Sequence, residues 1–427
     1  MTMPETPSRI APRRVVVTGM GAITPLGLSM PDTWRELIAG HHGIAPLDHF
    51  DSSDYRAYLA AQVQDFNPAD FMDKREARRL DRFSQFALAA TQEATQQAGY
   101  RTEDWDPYRV GVMIGTGIGG IQTFQNECVK LAQSGPRMIS PLFIPMMIGN
   151  IAAGKVGIDL GIKGATLDIT TACTSGTNAI GEAFRKIKYG ELDCCIAGGT
   201  EAPICEIAVA GFGNMKALTP SKDPDRASIP FDRERSGFVI GEGAGILILE
   251  ELEAARRRGA RILAEIAGYG TTGDAYHITS PAPDGSSAAR AMTEAIEEAG
   301  ESPEAVDYIN AHGTSTPLND KYETMAIHTA LGKACSKVAV SSTKGALGHL
   351  LGASGAVEAC ILVNTVREGV IPPTVGYREA DPDCDLDYVT EGSRVRPVRL
   401  ALSNSFGFGG HNGCLAVKAY PSEEEKA

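Results

Sequence analysis

The sequence predicts an α/β protein on three observations: apolar runs of strand length, helix-period segments between them, and glycine gathered where the runs end. The apolar runs are 14–18, 110–114, 166–170, 193–197, 245–250, 307–310, 337–341, 400–403 and 413–419. They are short and show little polar alternation, as strands covered on both faces do. The helix-period segments are 81–98, 177–189, 286–299, 321–331 and 353–366. In the second, Ala179, Ile180, Ala183, Phe184 and Ile187 form one continuous face, so that helix is expected to be buried along one side. Glycine is 47 of 427 residues, above the roughly 7% of ordinary proteins, and its placement suggests a site lined by backbone. Each half of the chain carries an apolar strand, a glycine-rich turn and a helix around a reactive residue. This suggests two halves, 14–261 and 262–420, flanked by loose tails at 1–13 and at the acidic 421–427.

Composition narrows the function. The hydrophobic share of 43% and charged share of 22% are those of a folded globular protein. The net charge of −13 repels phosphate backbones and anionic lipid at long range, which argues against nucleic-acid binding. The longest apolar stretch, 347–363, is interrupted by His349, Ser354 and Glu358, so no membrane span is expected. Residues 1–14 lack the apolar core of a secretory signal, and a cytoplasmic protein is expected. The nine cysteines form no C-x-x-C pair, so no zinc site is expected and reduced thiols are.

One cysteine stands apart. In Asp168-Ile-Thr-Thr-Ala-Cys173-Thr-Ser-Gly176 an apolar strand runs through small residues into a helix, which puts Cys173 at a strand-to-helix elbow. Orphan N–H groups and the positive end of the helix dipole there favour a thiolate. The bland reading, a buried structural thiol, is disfavoured by small neighbours that leave room for a substrate. A hydrolase, a dehydrogenase or an acyltransferase could each use such a cysteine.

Two histidines narrow the choice. Ile309-Asn-Ala-His312-Gly-Thr-Ser-Thr316 and Ser342-Thr-Lys344-Gly-Ala-Leu-Gly-His349 each end a strand or loop among glycine and small polar residues, whereas His41, His42, His49 and His328 read as ordinary satisfied groups. A hydrolase needs one histidine with an orienting partner. Two imidazole donors suit the oxygen of a thioester enolate, which decarboxylation of a malonyl thioester generates. The loop Ser403-Asn-Ser-Phe406-Gly-Phe408-Gly-Gly-His411-Asn-Gly413 lets backbone N–H groups approach a substrate oxygen, so with the Cys173 N–H it can build an oxyanion hole. Gly115-Thr-Gly-Ile-Gly-Gly120 lacks the acidic residue that a dinucleotide site needs, so nucleotide binding is rejected.

Together with Val15-Val-Val-Thr-Gly-Met-Gly21, Phe231-Asp-Arg-Glu-Arg-Ser-Gly-Phe238 and Asp274-Ala-Tyr-His277, these motifs resemble the β-ketoacyl-acyl carrier protein synthase family of the thiolase superfamily, its synthase II branch above all. The resemblance covers nearly the whole chain. It implies a pseudo-duplicated, thiolase-like five-layered αβαβα sandwich and a cytoplasmic homodimer, with Pro141 to Asn150 reaching toward the partner's pocket. It implies an acyltransferase that elongates fatty acids by decarboxylative Claisen condensation with malonyl-acyl carrier protein. Cys173 becomes the acylated nucleophile and His312 and His349 the decarboxylation and condensation pair. Lys344 and Glu358 become charges that hold the second histidine and local water or a structural monovalent cation; no other cofactor is implied. Phe408 resembles the gating phenylalanine and Phe406 its neighbour. Thr314 and Thr316 match pantetheine-binding threonines, and Ile118 and Phe212 match acyl-pocket positions. Polyketide-type ketosynthase chemistry and, further off, a thiolase using Cys414 as base remain alternatives.

Carrier recognition is expected on a basic stripe. Arg75, Arg78, Arg79 and Arg82 recur at the spacing of one helical face, and Arg137 and Lys216 fall where the family has further basic contacts. His411, Asn319, Met146 and Met147 depart from the family pattern without removing a catalytic group.

Overall fold

The computed structural model describes residues 12–421. Eleven strands form one continuous sheet, which reads as two copies of a five-stranded motif joined edge to edge, with a short eleventh strand, Asp387–Tyr388, at one end. In the first copy, Val15–Ile23, Val110–Gly115, Thr166–Ile169, Cys194–Glu201 and Gly243–Glu251 are strands one to five in chain order, and their spatial order is 3-2-4-5-1. In the second, Ala264–Gly273, Tyr308–Asn310, Ala339–Ser341, Leu400–Gly407 and His411–Lys418 repeat that order. Strands two, three and four run parallel in both copies, and the last two pairings are antiparallel in both. The copies meet where Val15–Val17 pair antiparallel with Ala264–Ile266.

Helices complete five layers. Arg82–Ala98 and Ile151–Leu160 cover the outer face of the first copy, and Ser286–Glu298 and Pro317–Leu331 cover that of the second. Ser175–Lys188 and Ser354–Glu368 pack on each other between the two copies, so the middle layer is buried on both sides. The face expected from periodicity, Ala179 to Ile187, lies wholly inside.

The duplication extends to the way helix meets strand. A Cβ on Gly19 or Gly21 would lie 2.2 Å from the Ala94 carbonyl oxygen or 2.1 Å from that of Ala90; on Gly268 or Gly270, 2.0 Å from the oxygen of Ala295 or 1.9 Å from that of Ala291. Backbone-to-backbone packing of the first helix on the first strand therefore requires glycine in both halves.

Every strand and helix read from the sequence exists, with ends shifted by a few residues. Ala264–Gly273 was not expected as a strand, because its glycines hide the apolar run. The helices Met30–Ile38, Ile121–Ser134, Ile151–Leu160 and Glu206–Asn214 were likewise not foreseen. Both expected loose tails fall largely outside the described residues. No described helix is long and apolar enough to cross a membrane.

Candidate active site

The two middle helices bring the site together. Each begins with the same device: a one-turn 3-10 segment, Ala172–Thr174 or Leu351–Ala353, whose first residue has a left-handed backbone. Ala172 has φ +52° and Leu351 φ +47°, values that non-glycine residues adopt only when their surroundings enforce them. Hydrogen bonds do so at the first elbow: the Thr171 N–H donates to the Ser175 hydroxyl (2.9 Å), which donates to the Ala172 carbonyl (2.6 Å). Small residues let the elbows approach; a Cβ on Gly176 would stand 2.8 Å from the Gly352 carbonyl oxygen. Cys173 thus lies at the start of one middle helix and His349 just before the other.

A cavity of about 330 Å³ opens on this junction, and Cys173, His312, His349, Phe406 and Phe408 all line it. The imidazoles of His312 and His349 stand edge to face with centroids 5.3 Å apart, while Phe238 packs against His349 at 5.1 Å and Phe406 against His312 at 5.7 Å. The Leu351 N–H donates to His349 Nδ1 (3.2 Å) and the Ser354 hydroxyl lies 3.0 Å from the same atom. Nδ1 is therefore the acceptor, and Nε2 carries the proton as a donor. His312 sits on a turn held by Glu323, whose carboxylate accepts the N–H groups of His312 (2.8 Å) and Gly313 (2.7 Å) and the Asn404 amide (3.1 Å).

Electrostatics keep both rings neutral. Burial holds each imidazole well below its ordinary range, and the Lys344 ammonium lowers both further. Lys344 is buried and ion-paired to Glu358.

The expected thiolate is not what the surroundings favour. Burial pushes the Cys173 thiol up to about 12, and the buried Glu201 carboxylate adds to the rise. The Lys344 ammonium and the N–H groups of Phe408 and Cys173 oppose it, but desolvation outweighs them. The same two N–H groups are the pair expected to form an oxyanion hole. Gly407 permits their approach, since a Cβ there would lie 3.2 Å from the Cys173 nitrogen and 2.8 Å from the Thr171 oxygen.

Thr314 and Thr316 face the cavity with their hydroxyls 2.9 Å apart, and Phe212 and Lys216 line its wall. Phe212 packs on Phe238 at 5.7 Å and lies 6.5 Å from Phe408. Ile118 is not part of this cavity: its N–H turns inward to Glu201 (3.1 Å), and its side chain is 37% exposed. Arg75, Arg78, Arg79 and Arg137 are exposed and are not part of the lining.

The basic stripe does not share one helical face. Asp73 caps the single turn Lys74–Ala77, the chain then breaks, and Asp81 caps a new helix starting at Arg82. Arg82 turns inward, donating to the buried Glu242 (2.8 Å) and lying 4.6 Å over the Phe86 ring.

Sequence reasoning missed Glu323, Glu201 and the Asp274–Asn412 pair. Glu201 accepts the N–H groups of Gly117, Ile118 and Gly352, tying a loop of one half to the elbow of the other. Asp274 accepts the Asn412 amide (2.7 Å) and the Ala282 N–H (3.0 Å) beside the cavity. Glu323 lies on the helix that follows the His312 motif, which was the one available signal. Asn310, Ser403 and the second oxygen of Glu358 present buried polar atoms without a protein partner, and Asn310 pairs with Ser403 across the sheet. Asn404 turns its amide to Met292 and Glu323 and leaves its own oxygen unpartnered. Buried oxygens of this kind are donors that a cation or water takes. No group of three His, Cys, Asp or Glu among the described residues could hold a metal ion.

A duplicated α/β frame with an elbow cysteine facing two neutral imidazoles defines a thiolase-like condensing enzyme. The family models for the β-ketoacyl synthase N-terminal and C-terminal domains match residues 12–255 and 263–378, and the chain belongs to the β-ketoacyl synthase family. It is 51% identical over 409 residues to a 3-oxoacyl-[acyl-carrier-protein] synthase 2 of Synechocystis, covering 96% of this chain and 98% of the relative. It is 48% identical over 408 residues to the Staphylococcus aureus protein of that name, covering 96% and 99%. Among solved structures, a type II polyketide ketosynthase bound to its acyl-carrier protein superposes with a TM-score of 0.90 at 34% identity, over 96% of this chain and 100% of that one. A β-ketoacyl synthase from Burkholderia phymatum gives 0.88 at 34%, over the same shares.

Proposed function

We propose that the protein is a 3-oxoacyl-acyl carrier protein synthase of the synthase II type, which elongates an acyl chain held on Cys173 by two carbons taken from malonyl-acyl carrier protein. The observation that carries this reading is the convergence of Cys173, His312 and His349 on one cavity with both imidazoles held neutral. Neutral rings donate hydrogen bonds without bringing a proton that would quench a carbanion.

In the first half-reaction the Cys173 sulfur attacks the acyl thioester, the oxyanion rests on the N–H groups of Cys173 and Phe408, and its collapse breaks the thioester bond and releases the carrier sulfur. The Cys173 proton moves only as the carbonyl arrives and ends on that departing sulfur, because burial opposes a free thiolate. In the second, the malonyl thioester oxygen accepts from His349 Nε2–H and from His312, carbon dioxide leaves, and the enolate carbon attacks the acyl-cysteine, breaking its carbon–sulfur bond and expelling the Cys173 sulfur, which takes a proton from water. The Lys344 ammonium, held by its ion pair to Glu358, adds to burial in keeping the histidines neutral. A monovalent cation or water beside the second Glu358 oxygen would supply the partner that Lys344 leaves it without; no other cofactor is proposed. Thr314 and Thr316 would bind the pantetheine arm, Phe406 and Phe408 would gate the thiol and Phe212 would bound the acyl pocket, roles supported by their positions on the cavity wall.

The fatty-acid reading is favoured over the polyketide one by identities of 48–51% to synthase 2 relatives against 34% to the polyketide ketosynthase. A thiolase is disfavoured because Cys414 is fully buried in the strand His411–Lys418 and does not reach the cavity. The exposed apolar side chains of Phe124, Val129, Ile144, Ile158 and Leu167, on neighbouring helices and on the edge strand Thr166–Ile169, support a homodimer; the proposed compartment is the cytoplasm. Ile118 borders that face, where the partner would close the acyl pocket. The exposed Arg75, Arg78, Arg79, Arg137 and Lys216 supply positive charge for an acidic carrier.

The test is incubation with a series of acyl carriers and malonyl carrier, with products read by mass. Two-carbon extension with carbon dioxide release supports the reading; condensation of acetyl thioester alone, without carbon dioxide, would overturn it.

A further inference from the structure

We propose that Cys335 is a second reactive thiol, activated by His328 and Asp385 and oxidised by small hydroperoxides to a sulfenic acid, on the surface opposite in chemistry to the condensing site. Three side chains from separate segments meet there. The Cys335 sulfur lies 3.3 Å from His328 Nδ1, and His328 Nε2 lies 2.7 Å from an Asp385 carboxylate oxygen.

The local fold builds this contact. The helix Pro317–Leu331 ends one turn beyond His328, and Gly332, with φ +53°, turns the chain back while its N–H caps the His328 carbonyl. The 3-10 segment Gly332–Lys337 then carries Cys335 over the imidazole, half-buried against the outer core of the second copy. Asp385 arrives from the loop before the strand Asp387–Tyr388.

The chemistry follows from which ring nitrogen is free. An aspartate facing Nε2 takes a hydrogen bond from that nitrogen, which leaves Nδ1 as the acceptor toward the thiol. His328 is thus placed to take the Cys335 proton while Asp385 orients the ring, the division of labour of a cysteine nucleophile with base and orienter. Cys335 and the imidazole are reachable from solvent, unlike Cys194, Cys195, Cys360 and Cys414, which are buried.

The step balances without a further reactant. The sulfur attacks one oxygen of the hydroperoxide, an S–O bond forms and the O–O bond breaks. The departing hydroxide or alkoxide collects the proton from His328, giving Cys335 sulfenic acid and water or alcohol.

The experiment treats the full-length Cys173→Ser protein with hydrogen peroxide, traps sulfenic acid with dimedone and reads each cysteine by peptide-resolved mass spectrometry. Cys335 is expected to react faster than N-acetylcysteine under the same conditions, and His328→Ala to slow it by roughly tenfold or more. Asp385→Ala is expected to slow it several-fold and Asp385→Glu to restore it, which separates orientation of the ring from mere surface charge. In an otherwise wild-type background, His328→Ala is expected to leave condensing activity unchanged. Labelling of Cys335 no faster than the free thiol, or an unchanged rate in folded His328→Ala and Asp385→Ala, overturns the proposal.

Discussion

The backbone N–H of Leu351 donates to Nδ1 of His349 at 3.2 Å, and this one contact dictates that the ring's other nitrogen carries the proton. The contact exists because Leu350, with φ −83° and ψ 19°, turns the next N–H back onto the imidazole two residues before it. A backbone turn therefore sets a tautomer.

The neutral state of both rings gives a pH prediction. Each imidazole lies well below 6.5 in the folded protein, so below about pH 6.5 the unfolded chain binds protons that the native one does not. The stabilising contribution is present above that value and is lost as pH falls, by up to about 1.4 kcal/mol per pH unit per ring. Glu93 and Glu323, raised to about 7 by burial, act with opposite sign over the same range. Denaturant melts from pH 7.5 to 5.5 are expected to show a shallower acid loss in His312→Gln/His349→Gln than in the native protein; parallel curves would contradict the assignment.

Burial of the thiol predicts slow alkylation of the resting enzyme. With Cys173 pushed up to about 12, its reaction with iodoacetamide is expected to climb about tenfold per pH unit from 7 to 9 with no plateau near the ordinary thiol value of about 8.5. Loss of activity and carbamidomethylation of Cys173, followed together, check this. A plateau at or below pH 8 would mean that the elbow N–H groups outweigh desolvation.

Much of this was legible in sequence because the signals are local. Cys173 announces itself by the small residues around an elbow, and His312 and His349 by the glycine-rich turns that carry them. Nine strands and five helices followed from apolar runs and helical period. What escaped depends on contacts between distant segments. The strand Ala264–Gly273 reads as a weak strand because Gly268 and Gly270 are kept small for the helix behind them. The protonated state of Cys173 escaped as well: the helix end and the small neighbours are visible in the chain, but the enclosure that desolvates the sulfur comes from both halves. The arginine stripe failed because spacing cannot see Asp81 capping a new helix in mid-run.

Gly407 offers a direct test of the oxyanion hole. In Gly407→Ala the new methyl would press on the Thr171 oxygen and the Cys173 nitrogen, forcing the Phe406–Phe408 segment away from the elbow. Acylation of Cys173 by acyl carrier, followed by intact mass, is expected to slow by roughly a hundredfold, the effect of losing one preorganised donor. Thermal stability is expected to fall only modestly, by about 1–3 kcal/mol of strain. Wild-type acylation rates in this variant would remove the loop from the catalytic arrangement.

The arginines divide into two kinds, and the division is testable within one segment. Arg75, Arg78 and Arg79 are exposed, so their change to glutamate is expected to raise KM for the carrier several-fold and to weaken its salt dependence, with kcat and stability nearly unchanged. Arg82, seven residues from Arg75, is bound to a carboxylate with no solvent access. Removing it in Arg82→Ala leaves Glu242 charged and unpaired in the core, which is expected to cost about 3–5 kcal/mol of stability. Melts and carrier-dependent kinetics on the two variants separate the roles. Equal stability loss in both would show that the exposed arginines also hold the fold, and an unaltered KM in the triple variant would leave them as ordinary surface charge.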